Sequence, residues 1–218
     1  IMQGEAATSI DHHSRYFIEN VFEELDSPEE WYFDKKSSTL YYMPKEHLDM
    51  GNALVEAPIL KRAIELKGTQ EHPVKHITFS GFRIAHTAST FLETYDAPSL
   101  GDWTIHRSGS VLFEGVEDCV IHKCYFDAVG GNAIFPNNYN KRNRIYGNLI
   151  TDAGDSAICL VGSKHLSIGT NQAYPSENII KNNKIHEIGV FGKQTAGVFI
   201  SVSRDNVVSH NHIFNVPR

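Results

Sequence analysis

The sequence Ile179-Ile-Lys-Asn-Asn-Lys-Ile185 is one copy of a pattern that recurs from residue 76 to the end of the chain. Each copy has a β-branched run, a polar bend and then further apolar residues, with a glycine- or asparagine-containing corner nearby. The other copies are Ile77–Ile84, Val120–Phe126, Ile145–Ile150 and Val207–Ile213. Short strands without a 3.6-residue period are typical of a repeat solenoid rather than of helices. The pattern predicts an all-β fold, a right-handed parallel β-helix of about five coils.

Two columns of residues align the copies. The apolar column has members 42, 24, 35 and 28 residues apart, so the shortest spacing gives one coil and the longer spacings add loops. Its members are Ile84, Phe126, Ile150, Ile185 and Ile213. The polar bend forms the second column, with Phe82 and Cys124 in the first two coils and Asn148, Asn183 and Asn211 in the others. Stacked amide side chains can hydrogen-bond the backbone and each other, so we expect a ladder of asparagines that runs from coil to coil.

The two ends of the chain differ from the repeats. Residues 1–58 predict a flanking segment whose stretches Trp31–Asp34 and Thr39–Met43 form a β-hairpin. Residues 59–218 predict the β-helix. The chain stops at the corner where each earlier coil passes into its next strand, so we expect a fragment truncated within its last coil. It begins with Ile1 rather than Met, so we also expect the natural start to lie upstream.

Composition narrows the class of protein. Of 218 residues, 41% are hydrophobic and 21% charged, as in ordinary globular domains. The net charge of −6 without a basic cluster argues against nucleic acid as a partner. The sequence has no apolar run of 18 residues, so it predicts no membrane span. Nor does it contain G-x-S-x-G, a P-loop or G-x-G-x-x-G, the motifs of nucleophilic serine and nucleotide chemistry.

Cysteine and histidine usage predicts neither a metal site nor a cofactor. The three cysteines, Cys119, Cys124 and Cys159, form no C-x-x-C pair and are expected to be buried. Among twelve histidines the close pairs are His12-His13 and His210-x-His212. Alternation places His210 and His212 on one strand face, but no third ligand shares their column.

Asp152 and Glu187 form the first candidate catalytic pair. Both lie two residues past the apolar column in adjacent coils, and neighbouring parallel strands are about 4.7–4.9 Å apart. Their carboxyls are therefore expected on the order of 5 Å apart, the separation that a retaining glycosidase uses. Repulsion at that distance raises one pKa, as a general acid requires. The alternative is a pair of solvated corner acids.

Asp155 is the second catalytic candidate. It follows Gly154 and enters a strand, where a corner can aim one side chain into a groove. The alternative is an Asx-type turn that satisfies local N–H groups. The corresponding place in the preceding coil is Gly130-Gly131-Asn132, which predicts either room for a ligand beside Asn132 or tight corner geometry alone.

Three insertions are expected to form the walls of a groove along the coils: Thr87–Thr104, Gly162–Glu177 and Gly189–Thr195. Candidate sugar-stacking aromatics, taken as loop residues, are Trp103, Tyr139 and Tyr174. The polar pairs His106-Arg107 and Lys193-Gln194 are candidate ligands for hydroxyl or carboxylate groups. The alternatives are aromatics packed over a flank of the solenoid and solvated polar side chains.

The stretch Leu25–Pro44 followed by a β-helix resembles bacterial right-handed parallel β-helix proteins. These are similar to β-helical glycoside hydrolases, which include α-L-fucosidases and xylanases. Matching stretches are Gly101–Arg107, Gly130–Ile134, Gly154–Ile158 and Lys193-Gln194. The resemblance implies a polysaccharide or oligosaccharide substrate, a periplasmic or extracellular location and an aspartate-based site, for which Asp155 is the best match. It leaves the second acid open, inside the chain or beyond Arg218.

The sequence thus predicts a carbohydrate-active β-helix protein, a glycoside hydrolase on plant or microbial polysaccharide. Asp155 would be one catalytic carboxylate and Asp152 or Glu187 its partner. The residues predicted to orient sugar are Trp103, His106, Arg107, Asn132, Tyr139, Lys193 and Gln194. Two alternatives remain open: a polysaccharide lyase, which needs clustered acids for Ca²⁺ and a Lys or Arg base, and a non-catalytic glycan-binding solenoid.

Overall fold

The computed structural model describes residues 19–98, 103–163, 165, 167 and 171–217. Contacts within the chain divide it into a smaller unit that ends at Glu56 and a larger unit from Ala57 onward. The smaller unit has a short 3-10 helix, Phe22–Glu24, and an antiparallel hairpin of β1 (Trp31–Asp34) and β2 (Thr39–Tyr42). The predicted hairpin is confirmed.

The larger unit consists of short strands wound into five coils. The first coil contains β3 (Ile64–Lys67), β4 (Val74–Lys75), β5 (Thr78–Ser80) and β6 (Arg83–Ala85). The second contains β7 (Val111–Glu117), β8 (Val120–His122) and β9 (Tyr125–Asp127). The third contains β10 (Ile134–Lys141), β11 (Arg144–Tyr146) and β12 (Leu149–Thr151). The fourth contains β13 (Ile158–Val161), β14 (Pro175–Ser176), β15 (Ile179–Lys181) and β16 (Lys184–His186). The fifth contains β17 (Val198–Ser201), β18 (Val207–Ser209) and β19 (His212–Phe214).

Three parallel sheets run along the solenoid. The long sheet has the order β17-β13-β10-β7-β3. In addition, β4 pairs with the C-terminal part of β7, and β14 pairs with the C-terminal part of β10. The second sheet has the order β18-β15-β11-β8-β5, and the third has the order β19-β16-β12-β9-β6. The predicted apolar column is in register through the third sheet, where Ile150 pairs with both Phe126 and Ile185. The parallel β-helix predicted from the repeats is confirmed.

Two asparagine ladders hold the bends together. The predicted ladder is present: Asn183 Oδ1 accepts bonds from the backbone N–H of Asn148 at 3.1 Å and from its Nδ2 at 3.0 Å, and Asn211 Oδ1 does the same for Asn183. A second ladder runs through the preceding bend, from Cys119 to Asn143, Asn178 and Asn206. Each amide satisfies buried backbone groups that the bend removes from the sheets, which explains why asparagine recurs there.

The long sheet carries apolar side chains on both faces. Val111, Phe113 and Ile158 point into the solenoid core, whereas the alternate residues point outward. Four outward residues of the sheet form a second buried cluster with Ile105 of the segment 103–107: Leu112, Phe135, Cys159 and Val161. An isolated antiparallel bridge joins Asp96 to Ile105 in the loop before β7. The described residues of this loop, 87–98 and 103–107, therefore cover part of the outer face and place polar side chains beside the start of β13; we call them the covering loop.

Candidate functional site

Asp155 is a buried carboxylic acid at the entry to β13, with 5% of its surface exposed. Its Oδ2 accepts a hydrogen bond from the Tyr95 hydroxyl at 2.9 Å, and its Oδ1 accepts one from the Ser156 N–H at 3.0 Å. Burial raises the pKa of Asp155, and those two hydrogen bonds together with the charge of His106 oppose the rise only in part. A carboxyl of this kind holds its proton to higher pH than an exposed aspartate does.

Tyr95 connects Asp155 to further ionisable groups on the covering loop. Its ring centroid lies 5.6 Å from that of His106, and burial together with the neighbouring Asp155 charge raises its pKa. His106 Nε2 lies 3.5 Å from the Glu93 carboxylate, which also pairs with Lys61. We call Asp155, Tyr95, His106 and Glu93 the Asp155 cluster. Burial and neighbouring charges are the means by which active sites shift the pKa of a proton donor.

The Asn132 side chain hydrogen-bonds backbone groups around the Asp155 cluster. Its Nδ2 donates to the carbonyls of His106 and Ser108, both at 2.9 Å, and its Oδ1 accepts from the Ser156 N–H at 3.1 Å. The side chain is buried, so it fixes the loop segment that carries His106 over the start of β13. The sugar-binding role that the sequence suggested for Asn132 stays a prediction.

Asp152 and Glu187 occupy equivalent corners one coil apart, as their sequence positions predicted, because Thr151 and His186 just before them are in register. Both are exposed and both have a left-handed backbone, with φ of 53°. Asp152 accepts a bond from the Thr151 hydroxyl at 2.7 Å, and Glu187 accepts one from the Asn215 amide at 2.7 Å. The hydrogen-bond partners of Asp155 are Tyr95 and Ser156, and its pairing with Asp152 or Glu187 as a catalytic acid stays a prediction.

Trp103 and Arg107 hold the covering loop on the outer face. The Trp103 ring stacks on Phe199, with centroids 5.5 Å apart. Arg107 donates from Nε to Asp96 at 2.9 Å, from Nη1 to Asn137 Oδ1 at 2.8 Å and from Nη2 to the Gly162 carbonyl at 3.0 Å. The stacking favours the alternative for Trp103, an aromatic packed over a flank of the solenoid, whereas Arg107 is bound within the protein rather than solvated.

The insertion after β16 also approaches Asp155, and its Phe191 ring stacks on Phe91 of the covering loop with centroids 6.4 Å apart. A Cβ placed on Gly192 would be 3.2 Å from Asp155 Oδ1, so this glycine lets the loop approach the carboxyl closely. Lys193 is exposed and its Nζ donates to the carbonyls of Gly189 at 2.7 Å and Val190 at 3.1 Å. Gln194 beside it is half-buried.

Tyr139 is a strand residue, and its assignment to a loop was wrong. The long sheet continues to Lys141 through an irregularity between Asn137 and Asn140, so β10 includes Tyr139 where the polar sequence suggested a loop. Its hydroxyl donates to Glu117 at 2.5 Å.

A groove of about 470 Å³ lies beside the C-terminal halves of β7 and β10 in the long sheet. Its described lining includes Gly68, Gln70, Glu71, Glu114, Asn138 and Tyr139. Glu71 and Glu114 were not among the site residues predicted from the sequence. The signal for Glu114 was available: β7 alternates inward Val111 and Phe113 with outward Leu112, and the next outward position is an acid followed by glycine.

Glu117 joins the groove wall to a network of charges. This buried carboxylate accepts bonds from Tyr139, from Arg142 Nη2 at 2.6 Å and from Lys75 Nζ at 3.0 Å. Burial alone would raise its pKa, but the hydrogen bonds from its three partners lower it overall. Arg142 also binds Asp118, at 2.9 Å from Nε and 2.8 Å from Nη2, and this lowers the pKa of Asp118.

Replacing Arg142 with alanine is expected to lower the free energy of unfolding by about 1–2 kcal/mol at neutral pH, since it leaves two carboxylates less compensated while Arg142 itself is partly solvated. Carboxylates with lowered pKa values stabilise the fold above their unfolded pKa, and this contribution disappears as pH falls through their folded pKa. Urea unfolding curves of wild type and Arg142→Ala should therefore converge in acid. Arg62→Ala, which removes an exposed partner of Glu65, is the control and should change stability little. A constant difference across pH would contradict the assignment.

In the ranges that the structure describes, no three His, Cys, Asp or Glu side chains converge as metal ligands would. Within the same ranges, no helix is long and apolar enough to cross a membrane.

Comparison with known proteins gives one structure with a similar fold and one family whose profile matches the sequence. A solved structure titled "Glycoside hydrolase" aligns over 91% of this chain with a TM-score of 0.73 and 21% identity, a likeness that shows the fold. The alignment covers 39% of that protein, so the chain spans about two fifths of its length. No curated protein matches the sequence. The profile of the family described as "Right handed beta helix region" matches residues 63–217. The chain therefore belongs to the right-handed beta helix region family.

Proposed function

We propose that this protein acts on carbohydrate, as a glycoside hydrolase of plant or microbial polysaccharide, with Asp155 as its general acid. The observation that carries the proposal is the buried Asp155 carboxyl, whose pKa is raised by burial and which two donors hold in place at the entry to β13. The fold shared with a glycoside hydrolase supports the class of reaction. An extracellular or periplasmic location is compatible with that class and is part of the proposal.

The chemistry requires a proton donor and a second carboxylate. A protonated Asp155 would donate to the glycosidic oxygen as the bond to the leaving sugar breaks, and a carboxylate would attack the anomeric carbon or activate a water. Asp152 and Glu187 stay the predicted partners. Glu93 is an additional candidate, because it is linked to Asp155 through His106 and Tyr95.

The covering loop and the loop after β16 would then position the substrate. Trp103 and Arg107 fix the first loop on the outer face, and Asn132 fixes the segment that carries His106. Lys193 and Gln194 belong to the second loop, whose Gly192 approaches Asp155. We propose that these residues set the shape of the walls between which a sugar chain approaches Asp155.

Incubation of the chain with a panel of neutral and acidic polysaccharides tests the proposal, with release of reducing ends as the readout. Hydrolysis products with a saturated non-reducing sugar would support it. Unsaturated products that disappear with a chelator would indicate a polysaccharide lyase instead. Glycan binding without any release would indicate a binding solenoid, and both of these results would overturn the hydrolase assignment.

Tyr95→Phe is expected to move the alkaline limb of the pH–rate profile upward. The Tyr95 hydroxyl stabilises the Asp155 carboxylate and so lowers its pKa, and removing the hydroxyl lets the acid keep its proton to higher pH. The measurement is kcat/KM against pH on any polysaccharide that the wild type hydrolyses. Tyr125→Phe, on the outer side of the third sheet, is the matched control. A downward or absent shift would contradict Asp155 as the proton donor.

A further inference from the structure

The groove beside Tyr139 lies apart from the Asp155 cluster on the same sheet. Glu114 is in register with Asn137, and Asn137 is in register with Val161. Val161 follows Asp155 by six residues, which span at most about 20 Å along the strand, and the two strand spacings from Glu114 to Val161 add about 10 Å across the sheet. The groove is therefore placed within reach of an oligosaccharide that also contacts Asp155.

The floor of the groove requires two glycines. Gly115 has φ of +66°, and a Cβ built on it would lie 2.2 Å from the carbonyl carbon of Gly68. A Cβ on Gly68 would lie 2.6 Å from the Gly115 oxygen. The two backbones touch, and any side chain at either position would displace the floor. The concave shape is therefore a consequence of the sequence at these two positions.

Glu114 is held ready to accept hydrogen bonds in this groove. Its Oε1 accepts from Asn138 Nδ2 at 3.0 Å and its Oε2 from Asn137 Nδ2 at 3.2 Å. Arg107 donates to Asn137 Oδ1, which fixes the Asn137 amide with its NH₂ toward Glu114. A carboxylate has about four acceptor positions, so two amide donors orient Glu114 and leave positions for sugar hydroxyls.

Tyr139 contributes a fixed aromatic wall. Its hydroxyl is anchored on Glu117, and its ring lines the groove. Sugar sites combine an aromatic surface for the C–H face of a pyranose with a few oriented polar groups, and Gln70 and Asn138 supply further amides here.

The charge of the groove is negative. Glu71 and Glu114 are among the described residues that line it, and none of those residues is a lysine or an arginine. Lys67 is in register with Glu114 on β3 and offsets one of these charges. The nearby cations Lys75 and Arg142 are bound to Glu117. A polyuronate would bring further carboxylates against this surface, at a Coulombic cost that a neutral glycan does not meet.

We propose that this groove is a subsite for neutral sugar residues and that it discriminates against polyuronates. The class of ligand rests on the proposed function, whereas the preference for neutral sugars rests on the groove itself.

Isothermal titration calorimetry of the chain with xylohexaose, cellohexaose and hexagalacturonate tests this inference. We expect a neutral hexasaccharide to bind and hexagalacturonate to bind at least tenfold more weakly. Glu114→Gln should weaken binding of the neutral hexasaccharide about tenfold, because it loses charge-assisted hydrogen bonds. It should also reduce the difference in affinity between the neutral hexasaccharide and hexagalacturonate. Glu65→Gln makes the same change of charge on β3 outside the groove lining and should leave both affinities unchanged.

A second variant separates loss of the subsite from loss of the fold. Asn138→Gly removes one amide that holds Glu114 at a position with φ of 52°, which glycine adopts without strain, so it should weaken neutral binding severalfold while the thermal unfolding midpoint stays near that of wild type. Equal or tighter binding of hexagalacturonate to the wild type, or no effect of either groove variant, would overturn the inference.

The failure of this inference differs from failure of the proposed function. Neutral binding that is sensitive to Glu114→Gln, without any release of reducing ends, would uphold the subsite and reject the hydrolase. Hydrolysis that is abolished by Asp155→Asn, together with binding that Glu114→Gln leaves unchanged, would uphold the hydrolase and reject the subsite.

Discussion

Replacing Asp155 with asparagine is expected to lower kcat/KM for polysaccharide hydrolysis about 10³-fold, the usual size of a general-acid contribution. Asparagine has nearly the same shape but has no acidic proton to give to the glycosidic oxygen. It also keeps one acceptor oxygen where Asp155 uses two, for Tyr95 and for the Ser156 N–H. We therefore expect a loss of catalysis together with a small loss of stability.

Matched variants separate the two effects. Asp127→Asn makes the same change at an aspartate that pairs with Arg83 on the outer side of the third sheet, and it should retain near wild-type kcat/KM. Asp152→Asn and Glu187→Gln test the predicted partner acids in the same assay. Folding of Asp155→Asn is checked by its thermal unfolding midpoint. A folded Asp155→Asn protein with wild-type kcat/KM would reject the assignment of Asp155.

Asn183→Ala is expected to lower the free energy of unfolding by about 3 kcal/mol. Asn183 Oδ1 accepts from the backbone N–H and the amide of Asn148, and its Nδ2 donates to the Ile145 carbonyl at 3.1 Å. Both neighbours are buried in the middle of the solenoid, so the substitution leaves an N–H and a carbonyl without partners and without access to water. Urea unfolding followed by circular dichroism measures the difference.

Lys181→Ala is the control for this prediction. Lys181 lies on β15 two residues before Asn183, with its side chain partly solvated, and its truncation should change stability by less than about 0.5 kcal/mol. Similar stabilities of Asn183→Ala and Lys181→Ala would mean that the ladder adds nothing to the stacking of the coils.

The fold could be predicted because a solenoid repeats its local requirements in every coil. The column from Ile84 to Ile213 and the ladder through Asn148, Asn183 and Asn211 both follow from backbone geometry that each coil must satisfy again. The second ladder carried the same signal, since Asn143, Asn178 and Asn206 have the spacing of the first. It was missed because the copies were aligned on one bend only.

The candidate site could be predicted only in part. Asp155 stood out because it follows a glycine at a corner, but Tyr95 reaches it from 60 residues earlier in the sequence. No repeat specifies that contact, because the covering loop occurs in a single coil. The columns place Asp152 and Glu187 at equivalent left-handed corners, but a column cannot specify whether either acid pairs with Asp155, so that part stays a prediction. The groove escaped notice because Gly68 and Gly115 meet only after the coils stack.

A carbon-13 NMR titration of the aspartate side-chain carboxyls, with the Asp155 signal assigned by its absence in Asp155→Asn, measures whether a buried proton donor exists at the entry to β13. We expect the Asp155 carboxyl to titrate above the ordinary aspartate pKa of about 3.9 and the Tyr95→Phe variant to titrate higher still. Titration of Asp155 at or below that ordinary value would contradict the general-acid assignment, since the group would then be a carboxylate wherever the protein is stable.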